Sequence, residues 1–510
     1  MRRTGWVIAT LLIGSVPAAG GASEGSPATR VDAAIRRLDA GGIANAVRAA
    51  AMLAEVRPDV PRLTGAPVPA GLSSELAAPV ARLLAAIDAA GAEASAAIRD
   101  PEAVRERGSA LSDLLVRAAT SPPDPDATAE LRRIERRGRA SVDLPRLFGA
   151  GVLLADAIEA ALPELRSVET LGSRDDAGCD ILDQAPHLCI GGSGPNVYSA
   201  EAALVIDLGG NDLHTHSAGA GTQARPASVT IDLGGHDRYE RSTGPAQGAG
   251  NLGIGMLVDT GGNDTYAIAA TAGQESAIGQ GTNFSAGGGM LVDLGGRDRY
   301  LLTSTKPDQA FAAGQGRAAQ PGFGILLDDG ADEDEYVLSA RPSAVIEGDD
   351  EVKLGGLNAN GMAFGALGGV GLIRDGGGSD FMTLETVSAT IDPHETRPVT
   401  SVPLTGPQGL GGSSNGVGLL RAGVGSTNRR AIGSMQAPWS GIQTVNAFGW
   451  SVGGLGVLRD EGGDDIYRAE AVSHASRTIA LDDACGCDGA SAEAKQSIPG
   501  VGAASVRGMG

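Results

Sequence analysis

Two aspartates five residues apart, flanking a Gly-Gly pair and followed by a tyrosine, recur along the second half of this 510-residue chain. The phrase Asp-x-Gly-Gly-x-Asp-x-Tyr is complete from Asp232 to Tyr239, Asp259 to Tyr266, Asp293 to Tyr300 and Asp460 to Tyr467. In the copies that start at Asp207 and Asp375, His214 and Met382 replace the tyrosine. A copy at Asp328 is one residue longer and ends at Tyr336, and Ala422 takes the first Asp position of a worn copy. A Gly-Gly turn can aim its two flanking carboxylates at one centre, because Gly adopts positive φ without steric cost. Carboxylates and turn carbonyls are the ligands of Ca2+, which takes roughly six to eight oxygens. Calcium is therefore the expected ion. The candidate ligands are Asp207, Asp212, Asp232, Asp237, Asp259, Asp264, Asp293, Asp298, Asp328, Asp332, Asp334, Asp375, Asp380, Asp460 and Asp465. From Asp328 to Glu335 six of eight residues are acidic, the densest stretch. A second role fits the same residues. An Asp at a turn accepts a backbone N–H two residues on, and a ladder of such caps needs no metal. The spacing alone leaves both roles open.

The elements that position these residues follow from the repeat. Its first Asp positions, 207, 232, 259, 293, 328, 375, 422 (Ala) and 460, are separated by 25, 27, 34, 35, 47, 47 and 38 residues. A period of this order, with Gly-rich turns, predicts stacked coils of a parallel β-solenoid, β-helix or β-roll-like, with about seven to eight irregular coils. One strand is the apolar lead-in, as in Gly253-Ile-Gly-Met-Leu-Val258, and a second starts near the Tyr, as in Thr265 to Ala269. A third element carries Gln-Gly at Gln247, Gln280, Gln315 and Gln408. Gln280 and Gln315 stand 13 residues before the next Asp and Gln247 stands 12 before. That offset predicts an internal ladder of amides bonded to one another along the axis. The tyrosines read as packing within the coil. Residues 386–407 and 424–445 read as loop insertions. His214 and His216 share a strand face, but no third metal ligand is evident beside them.

The turns resemble the calcium-binding repeats of RTX-type (hemolysin-type) secreted proteins, best at Gly261-Gly-Asn-Asp-Thr-Tyr266. The family pattern is Gly-Gly-x-Gly-x-Asp-x-hydrophobic, repeated every nine residues or so. The resemblance implies calcium held between neighbouring coils by Asp212, Asp237, Asp264, Asp298, Asp380 and Asp465. It covers the turns only. One Gly of the pattern is absent here and the spacing is 25 residues or more.

The rest of the chain differs in kind, giving an α + β fold class. Residues 1–22 read as a signal peptide: Arg2 and Arg3, then an apolar run from Trp6 to Val16, then small residues. Residues 23–165 form a helical domain, with 23–30 as an irregular lead and apolar stripes such as Leu76, Val80, Leu83, Leu84 and Ile87. Residues 166–200 read as a junction, where a Cys179–Cys189 disulfide pins a cap. Residues 201–470 hold the repeats, and 471–510 form a Gly-rich tail with Cys485 and Cys487. Aromatics are 3%, so the core must be built from Val, Leu, Ile and Ala. A net charge of −21 argues against nucleic-acid partners, and no apolar stretch after the signal is long enough to span a bilayer. Two stretches spell Gly-x-Ser-x-Gly, at Gly412–Gly416 and Gly449–Gly453, but neither is followed by a helical stripe, so no catalytic residue is assigned. The function expected is an exported bacterial scaffold, structural or adhesive, secreted, periplasmic or at the cell surface. Its expected partner is a cell-surface polysaccharide or another surface protein. The alternative is an extracellular β-helix enzyme, a lyase or hydrolase of acidic polysaccharide, with its groove built by the two insertions and Arg429 and Arg430.

Overall fold

The computed structural model describes residues 27–65, 67–105, 125–168, 186–270, 277–305, 309–340, 356–387 and 410–423, with shorter segments between and beyond them. Among the described residues five α-helices precede the repeats: α1 (Pro27–Asp39), α2 (Ile43–Leu53), α3 (Ser74–Ala97), α4 (Pro125–Ala140) and α5 (Leu144–Arg166). Local chemistry sets their ends. Ser73 caps α3 by accepting the Leu76 N–H, and Asp143 caps α5 by accepting that of Arg146. Gly41 and Gly42, at φ +74° and +89°, separate α1 from α2. The helical region starts earlier than the sequence reading placed it. Part of the expected lead, from Pro27 on, is already helix, because Pro is well suited to a helix's first turn, where its missing N–H costs nothing.

Two 11-stranded sheets follow, dominated by parallel pairs. The first contains the lead-ins, among them Ala227–Asp232, Gly253–Asp259, Gly287–Asp293, Gly322–Asp328 and Gly369–Asp375. The second contains the strands that start near each Tyr, among them Arg238–Arg241, Thr265–Ala270, Arg299–Ser304, Glu335–Ala340 and Phe381–Val387. Along the chain the two kinds alternate across each Gly-Gly turn, and the register never slips. Asp207, Asp232, Asp259, Asp293, Asp328 and Asp375 are successive partners in the first sheet. Tyr198, His214, Tyr239, Tyr266, Tyr300, Tyr336 and Met382 are successive partners in the second. Shorter parallel ladders, such as Ala277–Gly279 with Gln309–Gly314, form further sides. This arrangement is compatible with the parallel solenoid expected from the repeat. The first sheet's edges are met antiparallel by Leu182–Gln184 and by Trp6–Ala9.

The stretches read as insertions are not wholly loops. Arg429–Met435 is a strand of the second sheet, and Val399–Ser401 pairs with Val352–Leu354. Their Pro, Thr and Ser content masks short strand runs whose partners lie many residues away.

The helices lie against the first sheet. α3 contacts Ala227–Asp232 and Gly253–Asp259, α5 contacts Gly287–Asp293 and Gly322–Asp328, and α2 contacts Gly322–Asp328 and Gly369–Asp375. Ile254, Met256, Val258, Met290, Val292 and Ile325 share one core with Val47, Ala86, Phe148 and Leu154 of the helices. The intervening residues Leu257, Leu291, Leu326 and Ile373 join the tyrosines in a second core on the other face. Phe323 keys the layers together, its ring 5.2 Å from that of Phe148. It fits only because Gly151 and Gly288 lie beneath it, where an added Cβ would stand 2.6 and 2.2 Å from the ring. Cys179 and Cys189 are joined by a disulfide beside Tyr198; Cys485 and Cys487 lie outside the described residues. Among the described residues no helix is long and apolar enough to cross a membrane.

Candidate metal centre

The seam between the two sheets carries the acidic residues. At each turn the Gly pair bends the chain, as at Gly261 with φ +136°. The first Asp then accepts the N–H of the residue two positions on through Oδ1: Asp232 from Gly234 at 3.1 Å, Asp259 from Gly261 at 3.0 Å, Asp293 from Gly295 at 2.9 Å and Asp328 from Gly330 at 3.0 Å. Its Oδ2 takes phenol donors. The Tyr239 hydroxyl lies within hydrogen-bond distance of both Asp232 (3.0 Å) and Asp259 (2.9 Å) and shares its one proton between them. Tyr266 donates to Asp293 (2.7 Å), while Tyr300 (2.9 Å) and Tyr336 (2.7 Å) both donate to Asp328. Several of these phenols reach the next repeat's carboxylate and so bind neighbouring repeats together.

The rings form one buried stack. Centroids are 4.8, 5.0 and 4.7 Å apart from Tyr239 through Tyr266 and Tyr300 to Tyr336. His214 continues the stack 4.4 Å from Tyr239, with its Nε2 3.2 Å from Asp232 Oδ2. Burial and the adjacent carboxylates push all four phenols upward, so they stay protonated and donate.

The second Asp of each repeat behaves differently. Its Oδ1 accepts the N–H of the corresponding Asp one repeat earlier: Asp237 from Asp212 at 2.6 Å, and Asp264 from Asp237, Asp298 from Asp264 and Asp334 from Asp298, each at 2.7 Å. Its Oδ2 has no such donor. In Asp237, Asp264, Asp298 and Asp334 that oxygen is buried without a hydrogen-bond partner. The two roles open at the level of sequence therefore divide between atoms. Capping accounts for three of the four carboxylate oxygens of a repeat, and the fourth is left over.

The residues that carry these leftover oxygens lie among other carboxylates. Four groups of three bring one ligand atom each within 4.8 Å of one another: Asp207, Asp212, Asp232; Asp232, Asp237, Asp259; Asp264, Asp293, Asp298; and Asp298, Asp328, Asp334. From Asp232 to Asp334 none of these aspartates is more than 1% exposed. Burying unpaired carboxylates costs several kcal/mol for each ion, so such a row must hold protons or cations. Burial, reinforced by neighbouring charge, pushes Asp264 and Asp298 up to about 7, Asp334 to about 9 and Asp237 to about 10. The donor set is all oxygen and anionic, the chemistry that suits a hard cation such as Ca2+.

Of the remaining candidates, Asp375 and Asp380 are buried at the next turn. Asp332 is exposed, because the extra residue of its repeat moves the second-Asp role to Asp334. Asp460 ends a strand opposite Ala422, and Asp465 lies outside the described residues. His216 is buried, its ring centroid 5.4 Å from that of His214, and burial holds it neutral at about 3. Ser414 and Ser451 of the two Gly-x-Ser-x-Gly stretches lie in short parallel strands paired with each other's neighbours, not at a strand-to-helix turn.

One feature was misread from the sequence and one was read only in part. Among the described residues the glutamine amides do not bond to one another, and Gln408 lies outside them. Gln247, Gln280 and Gln315 sit at φ +52°, +58° and +57°, and each Nε2 donates instead to a strand carbonyl: Tyr239 O at 2.9 Å, Tyr266 O at 2.8 Å and Tyr300 O at 2.8 Å. The left-handed turn directs the side chain across the interior to the second sheet, whose carbonyls there are within reach. The tyrosines do more than pack, since they satisfy the first carboxylates. The seven-residue step from Asp232 to Tyr239 signalled the bond within that repeat, but the same step from Asp259 to Tyr266 does not signal the bond from Tyr266 to Asp293. Comparison with protein-family models, curated proteins and solved structures finds no match to this chain.

Proposed function

We propose that this protein is an exported structural or adhesive scaffold, a parallel β-solenoid of seven to eight coils whose Asp turns bind calcium. One observation carries the reading: Asp237, Asp264, Asp298 and Asp334, which lie in clusters with other carboxylates, each carry a buried oxygen with no protein donor. A divalent cation at each cluster supplies the missing charge and ties one repeat to the next. The disulfide Cys179–Cys189 suits an oxidising compartment, in keeping with export. Adhesion to a surface polysaccharide or surface protein is the use such a rigid acidic rod suits.

The test is thermal unfolding of the full chain, followed by circular dichroism, in EDTA and then in millimolar Ca2+. An ion that binds only the folded chain stabilises it by about 2.7 kcal/mol per site at a hundredfold excess over Kd. A large calcium-dependent rise in the β-sheet midpoint is expected. An unchanged midpoint would mean that the row carries protons and that the turns are caps only.

A further inference from the structure

We infer that the Asp turns hold two short files of dehydrated ions, each bridged by a shared carboxylate, and that each file admits Ca2+ and trivalent lanthanides but not Mg2+. This rests on the cation reading above and specifies the ion class and arrangement. Three observations carry it. First, the clusters overlap: Asp232 belongs to two of them and so does Asp298. Ions in the first two clusters are thus bridged by Asp232 and ions in the last two by Asp298, while the second and third clusters share no side chain. Adjacent strands lie about 4.8 Å apart, so bridged ions stand on the order of 5–10 Å from each other. Second, each of Asp237, Asp264, Asp298 and Asp334 belongs to a cluster and carries a buried, partnerless Oδ2 while its Oδ1 is fixed by a backbone N–H. The ligand oxygen is therefore pre-positioned. Third, the clusters are sealed. The contributing side chains from Asp232 to Asp334 are at most 1% exposed, roofed on one side by the tyrosine stack.

Sealing decides the ion. Mg2+ gives up its water reluctantly and demands octahedral geometry at about 2.0–2.1 Å, whereas Ca2+ accepts irregular oxygen shells at about 2.3–2.6 Å. A site lined by carboxylates and closed to solvent favours an ion that sheds its water and tolerates an irregular shell. The adjacent phenols add a convenience. Tyr239, Tyr266, Tyr300 and Tyr336 each hydrogen-bond a cluster carboxylate, so they lie close enough to sensitise a bound Tb3+.

The experiment titrates Tb3+ into the full chain and reads tyrosine-sensitised emission. Lifetimes in H2O and D2O count the waters left on the ion, and an Eu3+ admixture reports neighbouring ions by energy transfer. The expected results are sensitised Tb3+ with almost no bound water, strong transfer to Eu3+, displacement by Ca2+ and no displacement by Mg2+. Asp298→Asn should remove two ions, because Asp298 serves two clusters, and Asp237→Asn should remove one. Both variants keep an oxygen to accept the backbone N–H, and circular dichroism in EDTA checks their folding. Equal losses from the two variants, or no transfer to Eu3+, would overturn the files. Retained water or ready displacement by Mg2+ would overturn the dehydrated site. Failure to bind either Tb3+ or Ca2+ would remove the cation reading itself.

Discussion

The two large sheets grow from one repeat but meet different surroundings. In Gly287–Asp293 of the first sheet all seven residues are buried, while in Arg299–Ser304 of the second, exposed or half-buried residues alternate with buried ones. The helices account for the difference. They cover the outer face of the first sheet, so both faces of each strand need apolar side chains and the sequence reads as an unbroken run. The second sheet presents its outer face to solvent at Arg238, Arg299 and Glu335, and its strands keep period-2 alternation. Between them the acidic seam belongs fully to neither. Its side chains are as buried as the core, yet they are carboxylates. A strand's composition thus reports what lies on its two faces more directly than its position in the repeat.

The comparison can be broken most severely on the covered face. Phe323→Ala removes the ring that joins α5 to the first sheet and should destabilise by about 3–5 kcal/mol, read as a lower denaturant midpoint. A loss no greater than that of a surface substitution would mean the helical layer is not integral to the sheet. Next comes the response of the seam to pH in EDTA. The folded carboxyls of Asp264 and Asp298 are raised to about 7 from an ordinary 3.8. The folded chain therefore binds protons that the unfolded chain has released, and the stability this supplies is complete below about pH 3.8 and lost as pH rises through about 7. The metal-free protein should melt several degrees lower at pH 8 than at pH 5, and calcium should flatten that slope. The smallest effect is expected on the open face. Arg299→Ala breaks a 2.7 Å ion pair with Glu335 whose partners are both largely exposed, and should shift stability by about 0.2–1 kcal/mol, less at high salt.

Much of this was legible because the repeat is written in residues with strict backbone demands. The Gly-Gly pair and the flanking Asp marked every turn, and the Gly-apolar lead-ins marked the strands of the first sheet. The helices declared themselves by stripe and by breaks such as Gly41-Gly42. What stayed hidden was long-range. Nothing in Ile254, Met256 or Val258 says that helices, not solvent, lie against them. Nothing local tells that Tyr266 reaches Asp293, one repeat beyond its own Asp259, or that a glutamine at positive φ turns toward a strand carbonyl. The choice between caps and ligands was undecidable at sequence level for a physical reason: both roles use the same side chain and differ only in which oxygen is left without a donor.

The unslipping register has a consequence for size. Because Asp259 pairs with Asp293 and Tyr266 with Tyr300, the 34 residues that separate such positions form a module whose ends match its neighbours' ends. Excising or duplicating one such module would leave every later partner aligned and change the rod by one rung, about 4.8 Å. Length is therefore quantised. The helices lie against the first sheet from Leu204–Asp207 to Gly369–Asp375, so a change in the number of rungs would also change how much of that sheet they cover.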